Sequence, residues 1–301
     1  MTGARNAGTR SWRCFLAPLG VSTLVIADDP ALMAAICAAY ADWTLEAPAL
    51  GSTIELRLER RADASRTVSD GIRVEGSRLT FGAPGVSAWA DARSGQAHCA
   101  IGEANFDAEA LVAEVVDTLL LFLLARSGRT PVHAAGVMLG DRALVLAGPS
   151  GTGKSTLALA AAERGLAILS DDTLYVELGD AIRLWGFPRP IHVFAEDAPP
   201  GDHAERLRGG KRKKAVATGI ARARTADRFV LVVLERGEEP GLTAIAPDVA
   251  IHALSRLDPG FDLLAEASAR AIRALAGQEA WRLVLSRDPR AAIDLLIDRF
   301  A

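Results

Sequence analysis

The chain has 301 residues, of which 50% are hydrophobic and 24% are charged, and its formal net charge is −3. These values are typical of a globular protein with one large or two ordinary domains. The weak negative charge gives no overall attraction to nucleic acid or to an anionic membrane surface. The three cysteines are scattered and lack metal-ligand spacing, which favours a reduced, cytoplasmic protein over a disulfide scaffold.

The sequence of residues 1–127 predicts a small, mostly antiparallel α+β domain, and its first 13 residues predict a polar, disordered start. A strand pattern over 14–27 is broken by Pro18 and Gly20, and a helix follows over 31–43 with Asp29 as its cap. Further strands are predicted at 53–59, 71–74, 78–81, 86–91 and 97–101, and a helix at 107–126. The unbroken apolar run in that helix has only seven residues, whereas a membrane-spanning helix needs about 20. We therefore predict no transmembrane segment.

A break at residues 127–131 predicts the start of a second domain, residues 128–301. Its predicted strands are a hairpin of 132–139 and 143–147, a strand at 167–170, a pair of 174–178 and 182–185 that resumes at 191–194, and strands at 229–234 and 281–286. The predicted helices are 255–275, with a break at 258–260, and 289–300. Residues 195–228 lack apolar periodicity, so we predict a long functional or disordered loop there.

A glycine-rich segment in the second domain fits the phosphate-binding pattern G-x-x-x-x-G-K-[ST]. The glycines keep Cβ atoms away, so successive backbone N–H groups can surround a phosphate. A buried-strand pattern precedes the segment, and an Ala/Leu-rich helix pattern follows it and ends at Gly165. The sequence therefore predicts a P-loop that binds a nucleoside triphosphate. The predicted nucleotide-binding residues are Gly148, Pro149, Ser150, Gly151, Thr152, Gly153, Lys154, Ser155 and Thr156. The Lys154 ammonium is expected to reach the β- and γ-phosphates, and the Ser155 hydroxyl to ligate Mg²⁺.

Two adjacent carboxylates, Asp171 and Asp172, end the strand that follows the P-loop helix, and we expect that strand to neighbour the P-loop strand. Phosphoryl transfer needs a carboxylate near Mg²⁺, and a second one can orient and deprotonate an acceptor hydroxyl. Adjacent residues at a strand end point in different directions, so the two aspartates can divide these roles. A simple turn is the alternative interpretation.

Two further features are candidates for function. His133 lies on the hairpin strand that feeds the P-loop, where a structural histidine is the alternative. Only four of the 34 basic residues are lysines: Lys154 of the P-loop, and Lys211, Lys213 and Lys214 together. This cluster predicts either a solvated charged loop or a mobile arm that closes over phosphates or an acidic substrate.

The segments 133–137, 148–156 and 169–172 resemble the HPr kinase/phosphorylase family, and more closely the bacterial HPr-kinase-related serine kinases. The resemblance covers residues 131–194 well and 195–301 loosely, and it does not extend to the first 125 residues. It implies a kinase that uses ATP and Mg²⁺, with Lys154 and Ser155 on the phosphates and the metal. It also implies that Asp171 is linked to the metal, that Asp172 is the base on the acceptor hydroxyl, and that His133 tunes Asp172.

The family's signature run after the paired aspartates, with its Glu and glycines, is replaced here by residues 185–191. This departure argues against phosphorylase activity and against HPr as the substrate. Arg189 in that run has either a structural role or a contact to substrate or phosphate.

The sequence thus predicts an α/β protein: a HPr-kinase-like P-loop domain with a mixed sheet, preceded by a small α+β domain. The predicted function is ATP-dependent transfer of the γ-phosphoryl group to a hydroxyl of a protein, peptide or small molecule, and a homo-oligomer is compatible with it. One alternative is a small-molecule kinase of the shikimate or gluconate kind, although such enzymes usually begin with the P-loop. The other is a nucleotide-gated sensor or ATPase switch without an acceptor.

Overall fold

The computed structural model describes residues 11–47, 53–61, 71–102, 107–187, 189–194, 198, 201, 205–208, 211–216, 220–255 and 264–301. The chain divides into two compact units, Met1–Gly128 and Arg129–Ala301. Both units mix helices and strands, so the chain is a mixed α/β protein with several sheets. Across the described ranges, no helix combines the length and the apolar character that a membrane span requires.

The first unit contains an eight-stranded sheet in the order β3-β1-β2-β4-β8-β7-β6-β5. Its strands are β1 Trp12–Leu16, β2 Thr23–Ala27, β3 Thr44–Leu45, β4 Ile54–Arg60, β5 Gly71–Glu75, β6 Arg78–Ala83, β7 Val86–Asp91 and β8 Gln96–Ile101. The pairs β2–β4 and β4–β8 are parallel, and the other pairs in this sheet are antiparallel. The strand predictions from 53 to 101 are confirmed to within a few residues.

The helices of this unit begin where their caps predict. They are α1 Pro30–Ala39, α2 Ala108–Leu111, a π-helical turn Val112–Val116, and α3 Asp117–Arg126. The Asp29 carboxylate accepts hydrogen bonds from the backbone N–H groups of Ala31 and Leu32, which satisfies two free donors of α1. Residues 119, 120 and 122–125 of α3 are buried, so the apolar run forms part of the core.

The three cysteines form no disulfide, yet two of them are close together. The Cys37 Sγ lies 3.3 Å from the Cys14 Sγ, although the two residues are well separated in the chain. Burial raises the pKa of the Cys14 thiol to about 12 and does the same to the Cys99 thiol. Both thiols are therefore protonated at neutral pH and have little nucleophilic character.

The second unit contains three sheets in its described part. Its strands are β9 Thr130–Val132, β10 Ala134–Leu139, β11 Arg142–Ala147, β12 Ile168–Ser170, β13 Leu174–Leu178, β14 Ile182–Gly186, β15 Ile191–Phe194, β16 Glu205–Arg208, β17 Lys211–Val216, β18 Thr225–Ala226, β19 Phe229–Arg236, β20 Gly241–Ala244 and β21 Ala280–Leu285. They form a six-stranded sheet β12-β10-β11-β19-β21-β20, a four-stranded sheet β18-β14-β13-β9, and a three-stranded sheet β15-β17-β16. The helices are α4 Lys154–Glu163, α5 Pro247–Ser255, α6 Ala265–Ala276 and α7 Pro289–Phe300.

Alternating side chains of β11 pack into two different cores. Leu144 and Leu146 belong to a cluster that includes residues of α4 and α7. Val145 and Ala147 belong to a cluster that includes residues of α5 and α6. Because successive strand residues point to opposite faces, β11 is buried on both sides, as its continuous apolar sequence indicates.

The register of the six-stranded sheet brings several chain ends to one edge. β11 is parallel to β19, and β19 is parallel to β21, so their C-terminal ends lie at the same edge. β10 is antiparallel to β11 with Ala134 opposite Ala147, so β10 begins at this edge. β12 is antiparallel to β10 with Ser170 opposite Gly136, so β12 ends there too. The edge is therefore where the residues after β11, β12, β19 and β21 and the residue before β10 converge.

The structure corrects several element predictions. β12, which Asp171 follows, does not neighbour the P-loop strand β11, because β10 lies between them. The predicted strand over 132–139 is split at His133, where the chain passes from the four-stranded to the six-stranded sheet. β15 does not resume the β13–β14 pair but pairs with β17 in another sheet.

The prediction of one long loop over residues 195–228 is also wrong. β16 and β17 form an antiparallel pair there, and only two residues of the sequence, 209 and 210, lie between them. The lysine cluster, residues 211–214, thus lies on β17. Residues 195–204, apart from 198 and 201, and residues 217–219 lie outside the described ranges. The later part of the helical stretch predicted at 255–275 is confirmed as α6, and its predicted break at 258–260 lies outside the described residues. α5, which begins at Pro247 and ends at Ser255, was not predicted.

Candidate functional site

The loop between β11 and α4 has the backbone shape that its glycines allow. Gly151 and Gly153 have φ angles of 83° and 116°, in the left-handed region that side chains rarely adopt. A Cβ on Gly148 would lie 3.2 Å from the Leu234 carbonyl oxygen of β19, so this position also favours glycine. α4 then begins at Lys154 without a side-chain cap, so its first N–H groups and its dipole favour an anion at the loop.

Lys154 is held against this loop by the loop's own carbonyl groups. Lys154 is only 5% exposed. Its Nζ donates a hydrogen bond to the Gly148 oxygen over 2.7 Å and another to the Pro149 oxygen over 3.2 Å. The Thr152 hydroxyl donates to the same Pro149 oxygen over 2.6 Å. These bonds fix both the loop and the ammonium group, so a cation stands where the motif requires one.

Asp171 follows β12 and lies beside α4. It is 5% exposed, and its Oδ2 accepts a hydrogen bond from the backbone N–H of His192 over 2.9 Å. The Ser155 hydroxyl donates to the Asp171 backbone oxygen over 3.4 Å. The first turn of the P-loop helix and the end of the acidic strand are therefore in direct contact.

Asp172 lies in a different environment from its neighbour. Its side chain is 45% exposed, and its Oδ1 is 3.6 Å from the His133 Nδ1. The Ser170 Oγ accepts the backbone N–H groups of Asp172 and Thr173 over 3.4 and 3.2 Å, which shapes the turn after β12. One aspartate is thus buried beside Ser155, whereas the other is accessible beside a histidine.

The donor set at Ser155 and Asp171 fits Mg²⁺ in the way that nucleotide sites usually hold it. Mg²⁺ prefers oxygen ligands and is bound through one or two protein groups together with phosphates and waters. A hydroxyl and a buried carboxylate on neighbouring elements meet that need. No group of three or more His, Cys, Asp or Glu side chains suited to a metal occurs among the described residues.

Sequence reasoning did not single out three residues that shape this region. Arg236 ends β19 at the same edge of the sheet, and its Nη2 would lie 3.2 Å from a Cβ added to Gly153. The His192 backbone N–H bonds the Asp171 carboxylate, and the Ser170 hydroxyl holds the turn beside it. Arg236 and His192 stand at no motif spacing, because contacts between segments distant in the chain bring them here, whereas Ser170 directly precedes Asp171.

Two other candidates lie on different elements. The Arg189 guanidinium carbon is 4.4 Å from the Phe187 ring centroid, which is a structural cation–π contact. Lys214 lies on β17, opposite Val193 of β15 and Glu205 of β16. The side chains of residues 211–213 lie outside the described part of the chain.

Comparison with known proteins assigns no family to the chain. No family model matches it, and no curated protein sequence matches it. Among solved structures, it is similar to the HPr(Ser) kinase/phosphatase from Coxiella burnetii, with a TM-score of 0.33 and 13% sequence identity. The match covers 57% of this chain and 95% of that chain.

Proposed function

We propose that the chain is a cytoplasmic, ATP-dependent kinase that transfers the γ-phosphoryl group to a hydroxyl of a protein, peptide or small molecule. The observation that carries this proposal is the contact between Ser155 at the start of α4 and Asp171 at the end of β12. This hydrogen bond, from the Ser155 hydroxyl to the Asp171 backbone oxygen, brings the P-loop helix next to the segment that carries two carboxylates. A phosphate-binding loop and nearby carboxylates are the components that phosphoryl transfer to a hydroxyl uses.

The P-loop supplies binding and charge stabilisation. Its backbone N–H groups and the Lys154 ammonium are positioned to stabilise the negative charge on the phosphates as the transfer proceeds. Mg²⁺, held by Ser155 and Asp171 with phosphate oxygens, would neutralise further charge on the β- and γ-phosphates. The buried Asp171 suits this role because its hydrogen bond from the His192 N–H holds the carboxylate in place.

Asp172 suits the role of base because it is accessible and still close to the P-loop helix. The acceptor oxygen forms a bond to the γ-phosphorus as the bond from that phosphorus to the β,γ-bridging oxygen breaks. The acceptor proton passes to the Asp172 carboxylate, and ADP is the leaving group. His133, with its Nδ1 3.6 Å from Oδ1, orients the carboxylate.

The proposal is tested by replacing Asp172 with Asn, which keeps the size of the side chain and removes the base. A general base contributes about 10²–10⁴-fold, so transfer should fall by at least about 100-fold. ATP affinity, measured by calorimetry, should change by less than about twofold because Asp172 is not in the P-loop.

Asp180→Asn is the matched control, since Asp180 is exposed in the turn between β13 and β14. This variant should transfer phosphate at the wild-type rate. Wild-type turnover in the Asp172→Asn variant would contradict the assignment of the base.

A further inference from the structure

An open cleft of about 410 Å³ lies along α4 in the second unit. One wall is a single face of α4 with Thr156, Leu159, Ala160 and Glu163, spaced as residues on one side of a helix are. The other wall is the segment that joins β21 to α7 and contains Arg287. The volume is within the range of about 300–1,000 Å³ that is usual for small-molecule sites.

The cleft is continuous with the P-loop. Thr156 lines it and is the last residue of the phosphate-binding motif, directly after Ser155. With a rise of about 1.5 Å per residue, the helix face from Thr156 to Glu163 extends about 10 Å away from the loop. A molecule whose phosphates occupy the P-loop can therefore place its remaining part in the cleft.

The order of strands indicates which part of the nucleotide lies there. Asp172 follows β12, on one side of the P-loop strand β11, and the cleft wall follows β21, on the other side. The γ-phosphate must face the acceptor base, so it points toward β12. The opposite end of the triphosphate, which carries the nucleoside, then points toward β21.

The chemistry of the cleft suits a flat heterocycle. Leu159 and Ala160 are only 6% and 4% exposed and form an apolar floor together with the half-buried Pro289. The rim is charged, and its geometry is fixed by an ion pair of 3.0 Å between Arg290 and Glu163. Arg287 is exposed on the rim, and a guanidinium stacks on aromatic rings better than an ammonium does.

We propose that this cleft binds the nucleoside of the nucleoside triphosphate whose phosphates the P-loop holds, and that Arg287 contacts the base. This inference rests on the proposed nucleotide-binding function and adds the location of base recognition. It assigns nucleoside selectivity to the segment between β21 and α7 rather than to the acidic strand end.

The test compares ATP with inorganic triphosphate, which has the phosphates and lacks the nucleoside. Calorimetry is performed on the full chain with Mg²⁺ for the wild type, Arg287→Ala and the control Arg164→Ala. Arg164, directly after α4, forms an ion pair of 2.7 Å with Asp294 of α7, but it does not line the cleft. Arg287→Ala should weaken ATP binding by about tenfold and leave triphosphate binding unchanged, and Arg164→Ala should change neither.

Each outcome separates this inference from the kinase proposal. Equal weakening of both ligands by Arg287→Ala, or no weakening of ATP, would overturn the nucleoside cleft while leaving the kinase intact. The expected selective loss without any phosphate transfer to an acceptor would support the cleft and reject the kinase. A wild-type protein that binds triphosphate and ATP equally tightly would overturn the cleft directly.

Discussion

Two adjacent aspartates have opposite surroundings at the end of β12. Asp171 is 5% exposed and bonds a backbone N–H group, whereas the Asp172 side chain is 45% exposed beside His133. A buried carboxylate is suited to holding a cation, and an exposed one to accepting a proton from a substrate. The division of roles that we propose follows from this difference in burial.

Arg236 is the residue whose contribution is least evident from the sequence. It is exposed at the end of β19, and its guanidinium lies against Gly153 of the P-loop. A cation at this position adds to the charge that Lys154 presents to the phosphates. We therefore expect Arg236 to stabilise bound nucleotide.

Replacing Arg236 with Ala should raise the KM for ATP by about tenfold, because a charge-assisted contact to a phosphate contributes about 1.5 kcal/mol. Steady-state kinetics measures the effect. Arg282→Ala is the control, since Arg282 is a neighbouring β21 residue that pairs with Glu235 over 3.4 Å. Equal effects of the two substitutions would show that general charge, rather than the position of Arg236, is responsible.

At the scale of elements, local patterns predicted the P-loop helix, the strand before it and the closing helix α7. These elements carry contiguous signals: a glycine motif, an apolar run, and the Asp288-Pro289 start whose carboxylate accepts the Arg290 N–H. The residues of the P-loop motif could be identified from the sequence for the same reason. The order of strands could not, because it depends on pairing between distant segments.

Several of the missed features depend on contacts between distant segments. Nothing in the sequence indicates that β10 inserts between β11 and β12, or that His133 marks the passage between two sheets. Apolar periodicity is weak in β16 and β17, since their pairing relies on backbone bonds. The proximity of Arg236 to Gly153 likewise depends on the parallel β11–β19 pair.

The contact between β14 and β12 gives a stability prediction. A Cβ on Gly186, the last residue of β14, would lie 2.2 Å from the Leu169 backbone oxygen. Gly186→Ala must therefore displace β12, which carries the acidic strand end. We expect a loss of at least about 2 kcal/mol in the free energy of unfolding, measured by chemical denaturation.

Gly241→Ala is the matched control, because Gly241 also lies in a strand and an added Cβ would meet nothing within 4 Å. Its effect should stay within about 0.5 kcal/mol. Similar losses in both variants would mean that strand glycines are costly to replace for reasons other than this contact.

At the scale of the whole molecule, the residues of the proposed nucleotide site all belong to the unit Arg129–Ala301. A ligand that binds only the folded state stabilises it by about 2.7 kcal/mol at 100 times its Kd. For a unit of this size, such a gain corresponds to a rise in Tm of about 5–10 °C.

Thermal unfolding with and without ATP and Mg²⁺ should show this rise in the wild type. Lys154→Met keeps the length of the side chain and removes its ammonium, so the variant should show little or no rise. Omission of Mg²⁺ should reduce the wild-type shift if, as we propose, the metal is held by Ser155 and Asp171 together with the phosphates. A full shift in the Lys154→Met variant would show that ATP binds elsewhere.

The central claim is that the chain transfers phosphate to a hydroxyl acceptor. The most direct measurement incubates the protein with γ-labelled ATP and Mg²⁺, with and without an extract of the host cell, and separates the labelled products. The account predicts that label moves to a discrete protein, peptide or metabolite only when the wild-type protein is present, and that Asp172→Asn prevents it. Label that appears only as free phosphate, with or without extract, would contradict the kinase and indicate an ATPase switch.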